Sequence, residues 1–495
     1  MRKSFSTFFV IFLSLAFSNA ESLVKHPRWK LTRPQHMFTR GGAASKQHNQ
    51  PKGKQTSPLE LTVSTEGAGI PPLVFNLVKG IVGAGVLSLP AGIAAFGDSS
   101  SALIPALALV AIIGILSAYG FALIGKVCAY TGATSYGEAW KESVGESSAW
   151  IPTWSATFMT CSACLAYSMI LADTFCSLLR TKERTKVLLS ITSVLLLPLC
   201  WMKDLASLAP FSLLGVLGMG YTAVVMTIRY LDGTYALPVV AESMSENGAT
   251  IEKVIKAGGS LVEQVADDLK PVFGNAGWSS AFTPNSLIFV CMLSTAYMAH
   301  FNAPKFFLEL KENTMARYNT VVASSFGASI ILMGFITSIG FLTFGKASSG
   351  VILNNYATTD LFMSVSRVAV ASSLVFGYPL IFQGLRDGAL EMLKIPAEKR
   401  KETRLLNIAT IILLSFVTFM AATLKDVSFV LAMVGATLGC LLAYVYPAAM
   451  YCGTVKKLEL KGETMGVIFS IISAVSGIIM GIVGAKMAID QQLQK

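Results

Sequence analysis

Between Phe75 and Pro90 the chain reads FNLVKGIVGAGVLSLP. The segment is apolar enough to enter a membrane. Yet it holds a Gly-Ala-Gly interruption at Gly83, Ala84 and Gly85, a lysine at Lys79 and a proline at Pro90. Glycine weakens a helix by about 1 kcal/mol relative to alanine, and proline removes a backbone donor. Lipid offers nothing to bond a freed N–H or C=O, so a break at mid-membrane survives only where it is buried in protein or lines a cavity. A plain anchor needs no such break. Half-helix ends that expose backbone dipoles instead suit a bound ion or zwitterion. The segment predicts a helical membrane protein with a ligand site inside the bilayer, and a transporter rather than an anchor.

The rest of the chain agrees. Of its 495 residues 53% are hydrophobic and 14% charged, against about 25% charged in soluble chains. Taking roughly 20 apolar residues per span, about eleven transmembrane helices are expected, at 71–97, 102–128, 150–178, 186–202, 207–231, 284–307, 319–345, 360–383, 404–424, 427–452 and 464–488. The fourth is short and is expected to end at Pro198. The transmembrane domain is placed at 69–490. Its one long connection, 232–283, is polar, and SLVEQVADDLK near 260–270 is expected as a surface helix at the membrane interface. Lys and Arg gather in the loops near 203, 305–317, 386–404 and 456–461, which sets those on the cytosolic or stromal side.

Residues 1–20 resemble a secretory signal, with Arg2 and Lys3 before the apolar run FFVIFLSLAF and small residues at Ser18-Asn19-Ala20. Residues 21–68 form a basic, acid-poor stretch. Two readings stay open: a bipartite plastid leader, with Phe17 near the cleavage point, or a signal or anchor followed by a disordered tail facing anionic lipid. The membrane is accordingly a plastid envelope, an endomembrane or the plasma membrane. The net charge of +11 lies largely in this leader and does not argue for nucleic acid. The eight cysteines all fall in or beside apolar segments, so neither a disulfide framework nor a metal site is implied; no cofactor is expected. One histidine outside the leader, no HExxH and no GxSxG argue against an intramembrane enzyme.

A second interruption stands five spans after the first, at His300-Phe301-Asn302-Ala303-Pro304. Paired broken helices in corresponding positions point to inverted repeats with the site between them. Gly83, Ala84 and Gly85 either allow close helix packing or expose N–H groups to a substrate carboxylate. Lys79 either snorkels to the cytosolic edge or faces a cavity, since an ammonium at mid-membrane costs roughly 2.5–3.5 kcal/mol. His300 is either a hydrogen-bonded core residue or a proton acceptor that titrates near neutrality. Asn302, Ser294, Thr295 and Tyr297 are placed to line the same cavity or simply to pack. Asp173 and Asp360 fall at span ends, where solvation explains them. Arg367 lies deeper and is expected to pair with an acid on another helix, and Arg386-Asp387 to pair in a loop.

Four blocks carry a family resemblance: FNLVKGIVGAGVLSLP at 75–90, PLCWMKDLASLAPFSLLG at 198–215, MLSTAYMAHFNAPKFFLELK at 292–311 and VGATLGCLLAYVYPAAMY at 434–451. Over roughly 70–490 the chain resembles the amino acid/auxin permease family, which includes vacuolar and sodium-coupled neutral amino acid transporters. The resemblance implies an all-α fold of the bacterial leucine-transporter type, with five-plus-five inverted repeats and broken helices one and six. It also implies secondary transport of amino acids by alternating access. In sodium-coupled relatives an asparagine that helps ligate sodium occupies the position of Lys79. They also carry a hydroxyl shortly before the eighth-span proline, where this chain has Val375 and Gly377 before Pro379. The departure argues against sodium coupling and favours proton coupling or facilitated exchange. The rival expectation is a membrane amino acid sensor without appreciable flux.

Overall fold

The computed structural model describes residues 67–202, 209–244, 250–256, 258–396 and 399–494. The signal-like segment and nearly all of the basic leader lie outside them. Nine helices among the described residues are long and apolar enough to cross a membrane, and a bent pair at the start of the domain makes ten. A further helix of 23 residues, Ala209–Leu231, stands where the fifth span is expected.

The first span is broken as its sequence predicts. Helix α1 (Ile70–Ile81) ends at Val82, whose φ and ψ of −80° and 80° leave the helical region. Gly83 is extended, a 3-10 turn runs over Ala84–Ser88, and α2 (Leu89–Ala94) resumes with Pro90 in its first turn. Proline costs nothing there, because the first amides of a helix have no intrahelical acceptor. The two halves meet at 43°. The second break repeats this grammar: α9 (Ser286–Ala296) ends, a 3-10 turn spans His300–Asn302, and α10 (Ala303–Glu309) carries Pro304 in its first turn.

Between these lie α3 (Leu103–Thr131), the short α4 (Tyr136–Ser143), α5 (Trp150–Leu179), α6 (Arg184–Ile191), α7 (Leu197–Trp201) and α8 (Ala209–Leu231). The fourth span does not stop at Pro198. A π turn over Thr192–Leu196 ends α6 and lets Pro198 sit in the first turn of α7. Two antiparallel strands, β1 (Val239–Met244) and β2 (Thr250–Lys256), follow in the long connection. The surface helix expected at 260–270 is instead two 3-10 turns, Val262–Gln264 and Asp267–Leu269. Val262 and Val265 are buried, and the Leu269 carbonyl accepts from the Asn355 side chain at 3.1 Å. The stretch thus packs on a neighbouring loop rather than lying on lipid.

The second half continues with α11 (Met315–Phe344), α12 (Leu361–Met392), α13 (Thr403–Thr423), α14 (Val427–Val434), α15 (Tyr446–Lys457) and α16 (Thr464–Gln494). Two π segments, Gly435–Gly439 and Leu441–Val445, join α14 to α15. This compound span is the core of the bundle, with 89% of its most apolar window buried against 22% for α16. Gly435 is required there: a Cβ would fall 1.7 Å from the carbonyl oxygen of Cys291 on α9.

Buried charges at the span ends differ from the solvated termini expected of them. Asp360 is buried and paired with Arg229 of α8. Asp173 pairs with Arg184 at 2.6 Å. Arg367 meets no acid among the described residues; its guanidinium donates to the carbonyls of Leu353, Tyr356 and Ala357 at 2.6–3.3 Å. These carbonyls end a 3-10 turn at Ile352–Asn355 and its exit, and Arg367 supplies the donors they lack. Arg386 lies inside α12 and donates to the Cys200 carbonyl and the Thr410 hydroxyl.

Candidate functional site at the first helix break

A cavity of about 100 Å³ opens beside the first break. Lys79, Val82 and Gly83 form one side. Tyr167 of α5 faces them, and Gly215 and Met219 of α8 with Val370, Ser373, Leu374, Gly377 and Leu380 of α12 close the rest. The local sequence explains the opening. Where α1 unwinds, the side chain at Gly83 is missing, and the nearest atom to its absent Cβ is the Tyr167 hydroxyl at 3.5 Å. Gly83 has φ −106°, which any residue adopts, so glycine is there for space and not for backbone conformation. Gly215 is more stringent. A Cβ would lie 2.1 Å from the Ser373 hydroxyl oxygen, so α8 and α12 meet only because it is absent.

The cavity holds one ammonium, from Lys79, and two hydroxyls, from Tyr167 and Ser373, and no carboxylate lines it. Its positive charge and the start of the resumed helix both favour a bound anion. A cation arriving within about 4 Å of the ammonium meets a repulsion of roughly 4 kcal/mol at an effective dielectric of 20.

The second break is organised differently. His300 is fully buried, and its Nε2 lies 2.9 Å from the Ser117 carbonyl of α3. A carbonyl only accepts, so Nε2 carries the proton and Nδ1 is a bare acceptor. Nδ1 is buried without a partner among the described residues. Phe121 and Phe326 meet the ring nearly edge-on, at centroid distances of 5.9 and 6.4 Å.

The structure brings Lys79 and Gly83 into one cavity, but not the candidates from the second break. Ser294 donates to the Val290 carbonyl and meets the Tyr444 hydroxyl at 3.1 Å. Thr295 donates to the Leu431 carbonyl of α14 at 2.7 Å, and Tyr297 to the Val110 carbonyl of α3 at 3.1 Å. Asn302 is half-buried in its 3-10 turn. The sequence reading missed Tyr167, Gly215 and Ser373, and named Gly377 only for the hydroxyl it lacks. No local signal marks the first three, because each acts by facing a helix far away in the chain.

Residues 66–489 match the family described as transmembrane amino acid transporter protein. The chain belongs to that family. Among relatives of this transporter, "Amino acid transporter AVT6E" of Arabidopsis thaliana is 23% identical over 410 residues, covering 78% of this chain and 76% of that one. "Putative sodium-coupled neutral amino acid transporter 11" of Danio rerio is 22% identical, covering 83% and 84%. Among solved structures, MhsT in complex with L-phenylalanine superposes with a TM-score of 0.52 at 12% identity, over 86% of this chain and 99% of that one. That likeness shows the fold: the leucine-transporter type expected from the resemblance. The transporter is a multi-pass membrane protein concerned with amino acids, not an enzyme, and the sensor reading has no support from its relatives.

Proposed function

We propose that this chain is a secondary active amino acid carrier that works by alternating access, uses a proton gradient and has no need of sodium. The observation that supports this is the placement of Lys79. Its ammonium lines the break cavity opposite Ser373 and Gly377 of α12, where a coupling cation of a sodium-driven relative would need oxygen ligands. A fixed positive charge takes the place of that ion.

In this reading the substrate carboxylate binds the backbone N–H groups around Gly83, Ala84 and Gly85, the Gly83 amide giving up its 2.9 Å bond to the Ile81 carbonyl as it does so. The amine and side chain turn toward the second break. Ser294, Thr295, Tyr297 and Asn302 take part as that break closes, with Ser294 and Thr295 exchanging their bonds to Tyr444 and the Leu431 carbonyl for the substrate. His300 supplies a proton acceptor at Nδ1, beside the segment that must move. Protonation there puts a charge in the core and shifts the balance between the two facing states.

The test is uptake into proteoliposomes holding the purified chain, with a panel of amino acids. Replacing external sodium by choline should leave uptake unchanged. Imposing one pH unit should drive about tenfold accumulation if one proton accompanies each substrate. A strict sodium requirement, or accumulation indifferent to the pH gradient, refutes the coupling.

A further inference from the structure

One buried hydroxyl joins α3, α9 and the π segment Leu441–Val445. It belongs to Tyr444 of that segment, which is fully buried. The Tyr444 hydroxyl lies 3.1 Å from that of Ser117 on α3 and 3.1 Å from that of Ser294 on α9, and both serines are fully buried too. The packing around it is tight. A Cβ at Gly120, on the turn after Ser117, would fall 2.0 Å from the Ala443 carbonyl oxygen and 3.3 Å from Nε2 of His300. A Cβ at Gly477 of α16 would fall 2.8 Å from the Cβ of Tyr444. π turns inside helices gather at functional sites.

Counting protons sets the direction of this chain. A serine or tyrosine hydroxyl has one proton to give. Ser294 bonds the Val290 carbonyl at 3.0 Å, and a carbonyl only accepts. Ser294 therefore donates there and accepts from Tyr444. Tyr444 has then used its proton, so Ser117 donates to it. The Ser117 carbonyl meanwhile accepts from Nε2 of His300 at 2.9 Å. Ser117 thus holds the tyrosine with its side chain and the histidine with its backbone. Around His300, Tyr297 donates to the Val110 carbonyl, and Tyr318 to the Phe121 and Ala303 carbonyls. The charged residues of the helices packed there are Lys126 of α3, Lys305 and Glu309 of α10 and Arg317 of α11. They pair toward the basic face, with Glu463, with each other and with Glu312. Neither α9 nor the π segment carries a charge.

We propose that Tyr444 is a positioning residue that links substrate at the second break to proton acceptance at His300. The proposal rests on the carrier reading above, in which Ser294 exchanges its bond to Tyr444 for the substrate. The displaced Tyr444 proton then needs a new acceptor, because a buried donor left unpaired is costly. The Ser117 oxygen is already in reach. Tyr444 turns its proton to Ser117, and Ser117 turns its own to a carbonyl one turn back in α3, a bond that bends helices. The bend falls at the carbonyl that holds His300. The ring is freed to take a proton at Nδ1, the buried acceptor without a partner among the described residues. No covalent bond changes in the relay; hydrogen bonds reverse direction.

The test uses proteoliposomes of the purified full-length chain and whichever amino acid of the panel the wild type takes up fastest. Tyr444→Phe keeps the ring and removes the hydroxyl. Ser117→Ala removes the same bond from the other side, so misfolding of one variant leaves the other to decide. Each should exchange the amino acid at equal pH within about threefold of wild type and at an unchanged KM. Under one pH unit, where one coupled proton drives about tenfold accumulation in the wild type, each should accumulate less than about twofold. The double variant should be no worse than either alone, since both remove one link. Ser117→Thr, which restores a hydroxyl, should recover accumulation. Wild-type accumulation and pH profile in both single variants overturn the relay; if His300→Gln still loses accumulation, the coupling reading survives that result. Exchange and accumulation that fall together, with a raised KM, also overturn it, since Tyr444 would then act on substrate binding. A wild type indifferent to the pH gradient, or one that takes up no amino acid, overturns the relay and the coupling reading together.

Discussion

The guanidinium of Arg229 grips the carboxylate of Asp360 through two hydrogen bonds of 2.8 Å each, from Nε to Oδ2 and from Nη2 to Oδ1. Asp360 also accepts from the Tyr235 hydroxyl at 3.0 Å and from the Phe362 and Met363 amides that open α12. One fully buried carboxylate thus ties the end of α8 to the start of α12, the two helices that form the far wall of the break cavity. Asp360→Ala leaves the partly exposed Arg229 guanidinium with Asp232 alone, at 3.2 Å, and the first amides of α12 without their acceptor. It should cost about 1–3 kcal/mol, read as a lowered thermal unfolding midpoint in detergent. Asp360→Asn keeps the cap and should fall between. The Arg229→Ala/Asp360→Ala pair should lose less than the sum of its parts; simple additivity would mean the two residues do not act together.

At Gly83 the expected effect is graded by size. The backbone there tolerates any residue, and a methyl would meet the Tyr167 hydroxyl at 3.5 Å, an ordinary contact. Gly83→Ala should therefore reduce uptake mildly. Gly83→Leu should lower it by more than about tenfold, a change of roughly 1.4 kcal/mol or more in substrate affinity, with normal expression and melting. Full uptake by the leucine variant would mean that the glycine serves packing alone.

His300→Gln separates coupling from transport. Glutamine can still donate to the Ser117 carbonyl but does not titrate near neutrality. The variant should exchange amino acid across a membrane with equal pH on both sides and fail to concentrate it under a pH gradient. Accumulation with a wild-type pH profile would show that His300 is a core residue and the proton travels elsewhere.

Acid sensitivity should concentrate at Glu463, in the connection before α16. The Lys126 ammonium at 2.8 Å and the Tyr451 and Tyr130 hydroxyls at 2.6 and 3.0 Å hold its carboxyl below the ordinary carboxylate range. A depressed folded pKa contributes stability above the unfolded value, and that contribution is lost as pH falls through the folded one. Wild type should therefore exceed Glu463→Gln by about 1 kcal/mol at neutral pH, as for a partly exposed ion pair. The gap should close as the pH drops from about 5 to 3. A gap that persists at low pH would point to shape and not charge.

The spans and both helix breaks were legible in the sequence because their causes are local. Hydropathy measures the free energy of placing a stretch of chain in lipid, and that is summed over neighbours in sequence. The breaks follow from Gly83, Gly85, Pro90 and Pro304 acting on their own backbone. Lys79 announced a cavity for the same reason: an ammonium at that depth is costly wherever the chain goes. One proline misled where context absorbed it: Pro198 sits at a fresh helix start after a π turn.

What faces each of these residues was decided only by the tertiary structure. Tyr167 meets Gly83 from another span, His300 finds its acceptor 183 residues away at Ser117, and Arg229 finds Asp360 131 residues on. Arg367, which the sequence suggested should pair with an acid, satisfied itself on three carbonyls. The physical reason is that lipid treats all apolar helix faces alike. Which faces meet is set by small differences in close packing, such as the missing Cβ at Gly215 and Gly435, and by where the last unmet hydrogen bonds can be satisfied. Those are properties of pairs of distant segments, and no window of sequence contains both members.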